Sequence, residues 1–101
     1  MRREYAAVVD RNRRYVQVSD SFCKLLGYQR DELIGKQYDD VTAPGTNDIP
    51  TVSNLLQREG YMHGIWVFAH RRCTRILVRY EAWVRRDGLI ECNMDLLGAG
   101  A

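Results

Sequence analysis

The feature that most limits the fold of this chain is the run from Thr74 to Leu97. Ile76, Val78, Tyr80, Ala82 and Val84 alternate with Arg75, Leu77, Arg79, Glu81, Trp83 and Arg85. Asp87-Gly88 follows, a dipeptide that favours tight hairpin turns. Leu89 to Leu97 then alternates again, with Ile90, Cys92, Met94 and Leu96 in phase. Two long strands joined by so short a turn can only pair antiparallel. Before them, Tyr61 to His70 carries Ile65-Trp66-Val67-Phe68-Ala69, apolar on both faces, and Arg71-Arg72-Cys73 turns it into the alternating run. The chain therefore ends in three antiparallel strands, with the tail Gly98 to Ala101 expected to fray.

The N-terminal half supplies two more strands and the helices. Tyr5 to Val9 and Tyr15 to Val18 flank a polar loop, Asp10 to Arg13, and read as a hairpin. Asn12 is the residue there that best tolerates a left-handed backbone. Ser19 then stands as an N-cap, with Asp20 at the positive end of a short helix. Phe22, Cys23, Leu25 and Leu26 form its apolar stripe, and Gly27 stops it. Arg30 to Ile34 makes one further turn before Gly35. Lys36 to Asn47 has little periodicity, apart from a Pro44-Gly45 turn. Asp48 caps a longer helix, Ile49 to Glu59, with Pro50 in its first turn and Gly60 as its stop. Two strands, three to four short helices and three strands imply an α+β domain. A five-stranded antiparallel sheet has one face covered by the helices, as one unit over residues 1–101 with its core at about 5–97.

Charge and cysteine usage bound the function. Fifteen basic and thirteen acidic residues leave a net charge of +2, too balanced to argue for nucleic acid. Cys23, Cys73 and Cys92 have no framework or metal-ligand spacing, which reads as reduced thiols and a cytoplasmic setting with no metal site. There is no apolar run long enough to insert in a membrane. Cys23 and Cys92 fall on apolar stripes and read as small buried hydrophobes. Cys73, beside Arg71, Arg72 and Arg75, is the one thiol in an electropositive turn. The arginines at 71, 72, 75, 79, 85 and 86 read either as a solvated face paired with Glu81 and Glu91 or as an anion- or partner-binding surface. No nucleophile, base and orienting group stand together, and the inward strand phases carry no carboxylate or histidine, so an enzyme is not expected.

Several local words, in order, resemble the PAS domain, the small sensor module of signalling proteins. They are Val18, Ser19, Phe22, Gly27-Tyr28, Asp31-Glu32 and Leu33-Ile34-Gly35, with the Asp87-Gly88 hairpin and Asp95 in the last strand. The resemblance spans about Tyr5 to Leu97. Ser19 stands where the family has asparagine, and Gln29 where serine or threonine usually caps the second helix, which should loosen that turn. Arg13 and Cys73 stand at hairpin positions where the family often has glycine. Of the family's Asp-Ile-Thr ending only Asp95 matches, and no output domain follows. The chain is then either a piece of a larger protein, with a fused output domain or signalling partner, or a small protein acting by binding.

The resemblance implies a sensory or regulatory role, with a small ligand held between the 49–59 helix and the sheet. The candidate pocket comprises Val52, Leu55, Leu56, Ile65, Val67, Val78, Tyr80, Cys92 and Met94. Both phases of the strand at 61–70 are apolar, so Trp66 and Phe68 compete with Ile65 and Val67. Tyr80 is the polar group expected to orient a ligand or water. Family members that bind haem usually do so through a histidine of the long helix, and this helix has none. Flavin photosensor members carry Gly-x-Asn-Cys-Arg-Phe-Leu-Gln, absent here. Haem and flavin are therefore not expected, and the cofactor is unknown. The family's outer sheet face commonly takes a flanking helix or a second subunit. Leu77, Arg79 and Trp83, large side chains on that face, are the expected homodimer contact. The alternative is a ligand-free interaction module with a filled core.

Overall fold

The computed structural model describes residues 5–100. Strands β1 (Tyr5–Val9) and β2 (Tyr15–Val18) are followed by α1 (Asp20–Leu26), α2 (Arg30–Leu33), a 3-10 turn (Tyr38–Val41), α3 (Ile49–Glu59), β3 (Tyr61–Ala69), β4 (Arg75–Val84) and β5 (Ile90–Gly100). The strands form one antiparallel sheet in the order β2-β1-β5-β4-β3. The first and last thirds of the chain thus meet at the centre. The helices cover one face, α1 over β1 and α3 over β3 and β4.

Local chemistry accounts for the boundaries. The Ser19 hydroxyl accepts the Phe22 N–H at 3.2 Å and so caps α1. Gly27, at φ +81°, ends it. The turn expected to be loose at Gln29 is instead closed by Glu32, whose carboxylate accepts the Gln29 N–H at 2.8 Å and pairs with Arg71 at 2.8 Å. Those two contacts hold Glu32 below the usual carboxylate range, the backbone N–H contributing most. Asp48 caps α3 through the Thr51 N–H.

Two expectations are corrected. The left-handed residue of the first hairpin is Arg13, at φ +66°, and not Asn12. The Asp10 carboxylate accepts both the Asn12 and Arg14 N–H groups, and Asp39 clamps the Arg13 guanidinium through two bonds of 2.9 and 3.1 Å. Of the tail expected to fray, Gly98, Ala99 and Gly100 pair with Leu77, Ile76 and Arg75, and Ala101 lies outside the described residues. Leu97 is the extra residue of a bulge that lets β5 continue. The aperiodic segment at 36–47 contains the 3-10 turn, whose Val41 is fully buried.

Cys73 is the second non-glycine residue with positive φ, at +70°. A left-handed L-residue costs about 1–2 kcal/mol, of which glycine's extra freedom in the unfolded chain offsets about 0.5–1 kcal/mol. Cys73→Gly is therefore expected to stabilise the protein by about 0.5–1 kcal/mol, read as a higher urea midpoint at unchanged slope. An unchanged or lower midpoint would contradict a strained turn.

Part of the β3 edge is closed by one side chain. The Asn47 amide donates to the Ile65 carbonyl and accepts the Val67 N–H, both at 3.1 Å, imitating a strand neighbour. Beside it the Ala43 N–H donates to the Val67 carbonyl at 2.9 Å. Asn47→Ala is expected to cost about 1–2 kcal/mol, lowering Tm by about 5–15 °C and speeding hydrogen exchange at the Val67 amide. Unaltered protection at Val67 would show that the amide does not hold this edge.

Candidate functional site

Between the inner face of the sheet and α3 lies a cavity of about 60 Å³. From α3 come Val52 and Leu56, one turn apart on its inward stripe. The central strands provide Ala7 and Val9 of β1 and Ile90, Cys92 and Met94 of β5. Tyr80 and Ala82 of β4 and Trp66 and Phe68 of β3 form one side; Tyr15 of β2 and Tyr38 of the 3-10 turn complete it. The wall is almost wholly apolar.

Aromatic rings set its shape. Tyr38, Trp66 and Tyr80 stand edge to face in series, each pair of centroids 5.6 Å apart. The Trp66 indole N–H donates to Thr42 Oγ1 at 3.0 Å, and that hydroxyl donates to the Tyr38 carbonyl at 2.7 Å. Tyr80 lies against Gly64 on the neighbouring strand, where an added Cβ would sit 3.4 Å from its ring. Tyr15, Phe22 and Phe68 form a second series, with centroids 5.7 and 5.4 Å apart.

Burial keeps the ionisable groups here neutral. It pushes the Cys92 thiol up to about 12 and the Tyr38 hydroxyl up to about 12, with a Ser53 hydrogen bond opposing the shift at Tyr38. Tyr15 and Tyr80 are raised by the same cause. The Cys92 thiol is then a poor nucleophile. Cys23 is buried in α1 and also raised, chiefly by burial, while Cys73 is exposed. Among the described residues no group of three His, Cys, Asp or Glu side chains is placed to hold a metal.

Of the sequence-derived pocket, Val52, Leu56, Tyr80, Cys92 and Met94 line this cavity. Val78 is fully buried in the core beside it, and Leu55 is half-buried on α3; neither reaches the cavity wall. Ile65 and Val67 are corrected. They lie on the outer face, Ile65 48% exposed, while Trp66 and Phe68 point inward at 6% and 5%. The available signal was His63, which shares the phase of Ile65 and favours the solvent side. Tyr15 and Tyr38 were missed because one sits on an edge strand and the other in an aperiodic turn.

On the outer face, Trp83 is half-buried, Leu77 is 39% exposed and Arg79 is exposed. Leu77 pairs across strands with Val67, and Arg79 with Ile65. His63 is exposed on the same face, and Tyr61 donates its hydroxyl to Glu81 at 3.0 Å. The arginines are partly paired: Arg71 with Glu32, and Arg85 with Asp87 and Glu91. Arg71 also stacks over Tyr28 at 5.3 Å.

Comparison with known proteins bears on this geometry. The PAS fold family model matches residues 4–62. No curated protein sequence matches the chain significantly. Among solved structures, a domain of a sensory box sensor histidine kinase/response regulator from Geobacter sulfurreducens aligns with TM-score 0.79 at 18% identity, covering 89% of this chain and 80% of that one. The PAS domain of an HTR-like protein from Haloarcula marismortui aligns at 0.77 and 15%, covering 92% and 80%. The LOV domain of a blue-light activated histidine kinase from Erythrobacter litoralis EL346 aligns at 0.81 and 10%, covering 93% and 95%.

Proposed function

Because this chain belongs to the PAS fold family, we propose that it is a sensory and regulatory domain of signal transduction, with no enzymatic activity of its own. A small ligand occupies the cavity between α3 and the sheet and alters the packing of α3 on β3 and β4. The observation that carries this reading is the cavity itself. It is an apolar hollow walled by residues from every strand and from α3, in a domain whose size would allow a filled core. The structural relatives that are domains of sensor histidine kinases support the signalling context. A signalling partner or fused output domain fits the same reading, as does a cytoplasmic setting for three free thiols. Among the described residues no helix is long and apolar enough to cross a membrane.

Haem and flavin do not suit the site. A cavity of about 60 Å³ holds neither, and α3 offers no histidine. An absorption scan of the protein as purified should show no visible band. The reading as a whole is tested by titrating the labelled protein with small neutral molecules and following backbone amide shifts. Shifts should gather on Val52, Leu56, Tyr80, Cys92 and Met94. Shifts confined to the outer face, or none, would count against an internal site.

The second part of the proposal is a homodimer through the outer sheet face. Leu77, Arg79 and Trp83, joined by the exposed Ile65, form its contact. Trp83→Glu should convert a dimer to a monomer in sedimentation, while leaving the far-UV spectrum unchanged. A variant that stays dimeric, or a wild type that is already monomeric, would rule this face out.

A further inference from the structure

Three features of the cavity specify what it can take, given the reading above that it is a ligand site. Its volume is about 60 Å³, whereas an apolar cavity that admits benzene measures about 150 Å³. That leaves room for only about two or three heavy atoms, in proportion to benzene's six. Its wall is almost wholly apolar, and among the described residues no buried side-chain nitrogen or oxygen lacks a hydrogen-bond partner. An entering polar molecule would give up water and recover little of that hydration from a wall that is almost wholly apolar. The wall also resists expansion: Trp66 is tied to Thr42, Tyr38 to Ser53, and Tyr80 is seated on Gly64.

We propose that the internal site of this domain selects small, neutral, apolar molecules, of the size of a diatomic gas or a two-carbon hydrocarbon, and rejects polar molecules of equal size and aromatic rings. Selection by size follows from the pinned aromatic wall, and selection against polarity from its almost wholly apolar surface. The soft sulfur atoms of Cys92 and Met94 add polarisable contact for such a guest.

The test uses the full chain, with methyl and amide spectra recorded under xenon pressure, in benzene-saturated buffer and with formamide. Xenon should shift the signals of Ala7, Ala82, Ile90 and Met94, while benzene and formamide leave them in place. Met94→Ala, which removes one wall, should admit benzene and give shifts at the remaining positions. Where that variant does not fold, the three probes on the wild type decide the matter alone. Benzene or formamide shifting these signals while xenon does not would overturn the proposed selectivity and leave the ligand site standing. Xenon shifts restricted to other residues would overturn the selectivity proposal as well. No shift with any probe, including the small neutral molecules of the preceding titration, would overturn the ligand site too.

Discussion

Phe22→Ala is expected to destabilise the protein by about 3–5 kcal/mol, the range for removing a fully buried aromatic ring. Phe22 is 0% exposed. Its ring meets Tyr15 of β2 and Phe68 of β3, which are the two edge strands of the sheet. The sheet curls so that both edges converge on one side chain of α1. Deletion therefore leaves a void bordered by three elements that cannot all collapse into it. Against a total stability of about 5–15 kcal/mol, Tm should fall by roughly 15–30 °C, and Phe22→Leu should lose about half as much. A change in Tm of only a few degrees in Phe22→Ala would show that α1 does not hold the edges together.

Alkali should weaken the fold before it reaches the strongly basic range. Cys92 and Tyr38 both have raised pKa values in the folded protein, from 9.0 and 10.0 to about 12. A raised acid favours its neutral form when folded, so the stabilisation is complete below the unfolded value and is lost as pH climbs towards the folded one. The window here is about pH 9 to 12. At pH 11 the loss is about 2–3 kcal/mol from Cys92 and about 1 kcal/mol from Tyr38. Tyr15 and Tyr80, shifted in the same direction, add to it. Urea midpoints at pH 8 and pH 11 under reducing conditions measure the effect. Cys92→Ala should start lower at pH 8 but decline less on the way to pH 11. A midpoint that does not move over this interval would show that the cavity wall is open to water.

Much of this was written locally in the chain. Caps and stops at Ser19, Gly27, Asp48 and Gly60 mark α1 and α3, because each satisfies an orphan backbone group or a left-handed turn by itself. The alternation of β4 and the Asp87-Gly88 turn carry the antiparallel pairing. The cavity was only half legible for a physical reason. A strand apolar on both faces, such as Ile65 to Phe68, takes its phase from what covers it, and here α3 and the 3-10 turn select Trp66 and Phe68. Tyr38 depends on a tertiary bond to Ser53, which no periodicity announces. The left-handed Arg13 depends on Asp39, distant in sequence, and so Asn12 looked the better candidate by propensity alone. The glycines of the tail looked like fraying until β4 provided a partner.

The account stands on the space between α3 and the sheet being a binding site and not a packing gap. The most direct measurement compares the amide-shift response to small neutral molecules in the wild type and in Ala82→Val. Ala82 lines the cavity and is 2% exposed, so the added methyl groups point into the space and close it. The wild type should show saturable shifts on Val52, Leu56, Cys92 and Met94, and the folded variant should show none. An identical response in both proteins, or a response seated on the outer face around Leu77 and Trp83, would contradict it.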